Sequence, residues 1–220
     1  MPLVECAWEY GECGQFEERV RRSGLFVKRF MDLFLASIAL VFLWPLMLAI
    51  ALAVKLESPG PAIYRSLRAG KWGRKFDCYK FRTMVAEADE LKDNLRFLNQ
   101  RRGPFFKIAG DPRVTRLGRL LRKYSLDELP QLWNVLKGDM TLVGPRPHPL
   151  DDVELYGPEH HKRLEVKPGL TGLWQVTART NPSFEMCMAL DLGYIQQWSL
   201  LLDFRILMKT IPAVLAGEGQ

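Results

Sequence analysis

The run LFLASIALVFLWPLMLAIALAV, Leu33 to Val54, is 22 residues long and carries no charge. That is enough to cross a bilayer as a helix, which takes roughly 20 residues. Any fold open to this chain must place that run in lipid or bury it. A cleaved leader is one competitor, and Ala51 to Ala53 even resembles a cleavage site. The run is longer than the roughly 7–15 apolar residues of a leader, and an acidic N-terminal segment precedes it. Basic residues flank both ends: Arg21, Arg22, Lys28 and Arg29 before it, Lys55, Arg65 and Arg68 after it. Basic flanks mark the cytoplasmic side. Two basic ends fit a helix that enters and leaves the membrane on one face. Pro45, near the middle, removes a backbone donor and bends a helix. A plain spanning helix with a proline kink fits these residues equally well.

The remaining chain has a polarised charge. Of 31 Lys and Arg against 25 Asp and Glu, 17 basic and 6 acidic residues fall between Arg65 and Lys123. The rest of the chain is net acidic, so the middle third forms a field that attracts anions such as nucleic acid, lipid head groups or phosphorylated substrates. An ordinary solvated basic face has the same composition. Cys6, Cys13, Cys78 and Cys187 match no zinc or redox spacing and are too sparse for a disulfide scaffold. Reduced thiols are the expectation. His148, His160 and His161 form no metal pattern.

Local patterns divide the chain further. Residues 1 to about 24 read as a weakly structured lead-in. AIYRSLRAGKWGRKFDCYKF predicts a β-hairpin around a glycine-containing turn. AEADELKDNLRFLNQ predicts a charged amphipathic helix with Leu91, Leu95 and Leu98 on one face. DPRVTRLGRLLRKY predicts a second helix, with Val114, Leu117, Leu120 and Leu121 opposite Arg113, Arg116, Arg119, Arg122 and Lys123. Such a helix suits an anionic membrane surface, or a core with one wet side. GDMTLVGPRPHP reads as a loop stiffened by Pro145, Pro147 and Pro149, KPGLTGLWQVTAR as turns around a short apolar stretch, and the chain from Pro182 onward as helical.

YSLDELPQLWNV places Asp127 and Glu128 side by side before Pro130. Ser125 and Glu128 could form a capping box, but that puts Pro130 inside the helix ladder. Pro130 could open the helix, which leaves Leu129 as a poor cap. The least strained reading makes Asp127 the N-cap, with Pro130 in the first turn, where N–H groups lack partners anyway. Both acids then lie at a helix start, where ionised groups and phosphate are favoured. A carboxylate attacking phosphorus also needs a cation, usually Mg2+, held here by Asp127 and Glu128 with the substrate. Basic groups must take up charge: Lys80 and Arg82 in YKFRTM, Arg122, and Arg146, which the prolines of GPRP hold in pose.

KFRTM, DPRVTRLGRLLRKYSLDELPQLWNVLKGDMTLVGPRP and KPGLTGLWQVTAR strongly resemble the bacterial sugar transferases, the monotopic phosphoglycosyl transferases that start glycoconjugate assembly. The resemblance covers about residues 26 to 216. It implies that Asp127 is the nucleophile toward the sugar-bearing phosphate of a UDP-sugar, that UMP leaves, and that polyprenol (undecaprenyl) phosphate takes the phosphosugar from Asp127. It implies that Glu128 supports the metal or the acceptor step and that Arg146 binds phosphate. Arg122, Lys80 and Arg82 match further basic positions. The family breaks its re-entrant helix at a Ser-Pro pair; this chain has Trp44-Pro45 there, so Pro45 alone must make the break. The segment after Ala178 looks like the branch serving exopolysaccharide and lipopolysaccharide assembly, which implies glucose or galactose as the sugar. Larger relatives carry four further membrane helices, so this chain is expected to be the catalytic core with a short extension.

The expected fold is α+β and predominantly helical: a re-entrant membrane helix-break-helix, a small β-hairpin and amphipathic interfacial helices around a catalytic core. The expected divisions are an N-terminal extension (1–24), the membrane helix (25–56) and a cytoplasmic catalytic domain (57–220). The expected place is the cytoplasmic face of the cell inner membrane. Partners implied are a UDP-sugar, polyprenol phosphate and membrane lipid, with a homodimer left open and nucleic acid not expected. Two other classes remain in view: an anchored, non-catalytic module that binds anionic lipid or nucleic acid, and a phosphodiester hydrolase using water. The first has no use for Asp127, Glu128 and Arg146 together and lacks the interleaved aromatics of a single-strand binder. The second predicts free sugar phosphate without polyprenol.

Overall fold

The uncharged run forms the longest element. In the computed structural model, which describes residues 22–88, 108, 110–179 and 183–217, helix α1 spans Arg22–Glu57. Its 36 residues make a helix about 54 Å long if straight. Asp32, Ala36, Leu40, Leu43, Met47, Ile50 and Val54 recur at three- and four-residue steps and turn inward. Phe30, Phe34, Val41, Phe42, Leu48, Leu52 and Leu56 stay exposed. Helical backbone continues through Pro45, so a change of direction there is a bend within one helix and not a gap between two. A proline removes only one ladder hydrogen bond, and the strongly apolar turns on either side keep their own.

Both ends of α1 are tied to the same body. Near its start, Lys28 Nζ reaches Asp203 Oδ2 at 2.6 Å and the Val143 carbonyl at 2.8 Å. Arg29 donates to the carbonyls of Val135 (2.7 Å) and Leu136 (3.0 Å). Asp32, buried, accepts from Thr141 Oγ1 at 2.7 Å and Leu142 N at 2.9 Å. At the far end, Glu57 accepts from Leu117 N at 2.9 Å.

The hairpin forms as expected. Strands β1 (Ile63–Ala69) and β2 (Lys75–Phe81) pair antiparallel, Ile63 opposite Phe81 and Ala69 opposite Lys75. The charged helix predicted over 86–100 lies almost wholly outside the described residues, as does the lead-in up to residue 21. The next helix, α2, covers only Arg116–Lys123, because Thr115 caps it by accepting from Gly118 N. Gly118 lets α2 press onto the end of β2: a Cβ there would stand 2.1 Å from the Thr83 carbonyl. The wet basic face is present at Arg116, Arg119 and Lys123, which are exposed while Leu121 is buried; two positions depart from it. Arg113 is buried, and Leu120 is half exposed.

Arg113 instead clasps Asp111. Its backbone N and Nε reach Asp111 Oδ1, both at 3.0 Å, and Nη2 reaches Oδ2 at 2.7 Å. These bonds hold the Asp111 carboxyl below its usual range. A depressed folded value means the stabilisation is present above the unfolded pKa and lost as pH falls through the folded one. Asp111→Asn is expected to cost about 1–3 kcal/mol at neutral pH. Melting curves of the two proteins should converge as pH drops below the ordinary carboxylate range, about pH 4.

Helix α3 covers Gln131–Lys137. The segment read as a loop opens with strand β3, Thr141–Val143, which pairs in parallel with β4, Gly169–Thr171. Both strands have only three residues, too few to show a period. Short helices α4 (Leu150–Val153) and α5 (Leu173–Thr177) follow β3 and β4. The helical C-terminal part is as expected: α6 covers Phe184–Gln196 and α7 Leu200–Leu215. Ala36 of α1 joins Phe76, Val135, Met140, Val143, Tyr194 and Ile206 in the main core, and Ile50 and Val54 join Phe81 and Leu121 in a second.

Candidate active site

The two adjacent acids sit in a single 3-10 turn, Leu126–Glu128, between α2 and α3. Pro130 takes the position before the first residue of α3, so the reading of Asp127 as N-cap is corrected. Proline fixes φ near the helical value and lacks the N–H that would be orphaned there. Asp127 lies in the preceding turn instead. Ser125 enters that turn with φ of 55°, a left-handed conformation uncommon for serine. Its Oγ accepts from Arg179 Nη2 at 2.6 Å. Arg179, the last residue of the motif KPGLTGLWQVTAR, is thereby tied to the residue two before Asp127; the sequence reading gave it no role.

Three of the predicted basic residues come to the acids. Lys80 on β2 reaches Glu128 Oε1 at 2.7 Å and Asp127 Oδ2 at 3.9 Å. Arg146 forks onto Glu128, Nη2 to Oε1 at 2.5 Å and Nη1 to Oε2 at 3.2 Å. Arg122 donates Nε to Thr83 Oγ1 at 2.9 Å, and its charge stands near Asp127. Arg82 does not join. Its guanidinium turns to the end of α1 and donates to the carbonyls of Ser58 (2.7 Å), Pro59 (2.5 Å) and Val54 (3.4 Å). The last carbonyls of a helix lack intrahelical partners, and Arg82 satisfies them.

The two carboxylates are buried side by side and are shifted in opposite directions. Burial alone would push Glu128 up, but the Arg146 and Lys80 charges beside it outweigh that and hold it well below the usual range. Burial pushes Asp127 up; Lys80 pulls it back, and the Glu128 charge adds to the rise. Among the described residues nothing donates a hydrogen bond to Asp127; Lys80 approaches it to 3.9 Å, and the Arg122 and Arg146 charges act on it more weakly. An anion that is buried and weakly solvated is a stronger nucleophile than one tied by donors. Two neighbouring acids whose environments drive them apart are a mark of divided chemical roles.

No group of three or more His, Cys, Asp or Glu that could hold a metal occurs among the described residues. Glu128 has both oxygens taken by cations, which leaves Asp127 as the open carboxylate. Magnesium commonly takes one or two carboxylates together with substrate phosphates and water. This donor set therefore fits magnesium only when a phosphorylated substrate shares it.

The bacterial sugar transferase profile matches residues 23–217. The exopolysaccharide production protein ExoY of Rhizobium meliloti is 43% identical over 205 residues, covering 91% of each chain. The UDP-glucose:undecaprenyl-phosphate glucose-1-phosphate transferase of Caulobacter vibrioides is 44% identical over 202 residues, 87% of this chain and 71% of that protein. The undecaprenyl-phosphate galactose phosphotransferase of Salmonella typhimurium is 44% identical over 203 residues, 90% of this chain. The chain spans only 42% of that Salmonella protein. With a profile match over nearly all its length and a full-length relative at this identity, the chain belongs to the bacterial sugar transferase family.

Proposed function

We propose that this protein transfers a sugar-1-phosphate, glucose or galactose, from a UDP-sugar to undecaprenyl phosphate. This would be the first step of exopolysaccharide, O-antigen or capsule assembly. The observation that carries the reading is the buried Asp127 carboxylate, to which no described residue donates a hydrogen bond, beside a Glu128 already paired with Lys80 and Arg146. An Asp127 oxygen attacks the sugar-bearing phosphorus. The phosphoanhydride bond breaks and UMP departs with the bonding pair. A phosphate oxygen of the polyprenol then attacks the same phosphorus, and the acyl phosphate bond breaks to restore the carboxylate. No proton transfer is needed in either half.

The cations have work in both states. Without substrate, Lys80 and Arg146 rest on Glu128; a diphosphate entering the site competes for them. Arg146 is suited to phosphate because its planar fork can make two parallel bonds. Bound Mg2+ would neutralise phosphate charge, with Asp127 and Glu128 as its carboxylates. Purified protein with Mg2+, UDP-glucose or UDP-galactose and undecaprenyl phosphate is expected to release UMP. Free sugar phosphate formed without the polyprenol would instead make it a hydrolase.

The membrane placement belongs to the same proposal. A helix that crossed a bilayer could not dock both ends on one soluble body, yet the start of α1 docks on β3, α3 and α7 and its end on β2 and α2. This supports a re-entrant, monotopic α1 at the cytoplasmic face of the inner membrane. Leu201, Phe204, Met208, Ile211 and Leu215 form an exposed stripe along α7, beside α1, and suit the same interface. Introduced cysteines, Ser23→Cys and Ser58→Cys, should both be labelled from the cytoplasmic side. Labelling from opposite sides would sink this placement.

A further inference from the structure

Arg146 stands in a loop that can hardly be held by its own donors, because Pro145, Pro147 and Pro149 have no N–H. The loop is held by its carbonyls. Pro145 O accepts from Gly169 N at 2.8 Å, Pro147 O from Arg68 Nη1 at 3.4 Å, and His148 O from Ala69 N at 3.2 Å. The carbonyl of Arg146 itself accepts from Arg163 Nη2. Arg163 is buried, and spends its other donors on two more partners: Nε to Asp191 Oδ2 at 2.7 Å and Nη1 to the Tyr156 hydroxyl at 3.1 Å. That hydroxyl also meets His148 Nδ1 at 2.5 Å, two residues beyond Arg146. Asp191, on α6, is 1% exposed.

We propose that Arg163 and Asp191 are positioning residues for the nucleotide-sugar: they fix the backbone of Arg146 and thereby set how tightly the site holds a diphosphate. The proposal rests on the reading of Arg146 as a phosphate-binding residue. Stability alone is a poor account of the pair. Removing two charges from water is costly, and well-packed apolar residues often serve as well or better. A guanidinium fork differs in what it fixes: three directions at once, one of them the main chain of the residue that reaches Glu128. Asp191 orients that fork from behind. Tyr156 braces it from the side and links it to His148.

The test is UDP affinity of the full chain in magnesium buffer, measured by titration, with thermal melting to confirm folding. Arg163→Lys keeps a charge for Asp191 but loses the fork. It is expected to weaken UDP binding about tenfold, as for residues coupled through one network. Combined with Arg146→Lys, the same change should cost less than about twofold, because the residue it positions is already altered. Tyr156→Phe removes only a hydroxyl and should show the same pattern with a smaller loss; it carries the test if Arg163→Lys does not fold. Equal losses with and without Arg146→Lys, or an unchanged UDP affinity in the folded Arg163→Lys protein, overturn the proposal. If Arg146→Lys alone leaves UDP affinity unchanged, the phosphate-binding reading fails and this inference falls with it.

Discussion

Asp127→Asn is expected to lower UMP release by about 10⁴-fold or more, the scale seen when a covalent nucleophile is removed. The side chains have the same shape, so packing in the turn Leu126–Glu128 is kept. Only the attacking oxygen's charge is lost. Stability should not fall with it. Burial pushes the Asp127 carboxyl up, which means the folded protein carries a cost for its charge. An uncharged amide removes that cost, so the melting temperature should hold or rise, and membrane association through α1 should be intact. A variant that keeps most of its turnover would move the nucleophile elsewhere.

Arg146→Ala has the second largest expected effect, a fall in kcat of about 10²–10³-fold, the size found when one fixed donor to developing charge is removed. Two losses add in it. The phosphate loses a fork of two donors, and Glu128 keeps only Lys80 of its two partners. The half-paired buried carboxylate should also cost about 1–3 kcal/mol of stability. Arg146→Lys separates the two effects: a point charge still neutralises Glu128 but cannot fork, so stability returns before rate does. Steady-state kinetics on both variants, with melting curves alongside, check this.

The parts of this molecule legible in the sequence were those with long or dense signals. The apolar run gave α1, and alternation about a glycine turn gave the hairpin. The dyad, Lys80 and Arg146 came together as the motifs implied. What was not legible depended on partners distant in the chain. Arg82 shares a motif with Lys80 but lies one residue past the end of β2, so it turns to the end of α1 instead of the acids. Strands β3 and β4 are too short to show a period and exist because each completes the other. Three lone acids inside apolar runs, Asp32, Asp191 and Asp203, were the overlooked signal. A buried charge needs a partner, and each has one far away: Thr141, Arg163 and Lys28. Reading such acids as struts would have pointed to how the Arg146 loop and both helices beside it are anchored.

The central claim is a covalent phosphosugar on Asp127, and mass spectrometry tests it most directly. Protein mixed with Mg2+ and its UDP-sugar, without polyprenol phosphate, should gain the mass of one hexose phosphate. Peptide mapping should place it on Asp127, and adding undecaprenyl phosphate should discharge it. UMP release with no adduct on the protein, or an adduct on any other residue, would contradict the account.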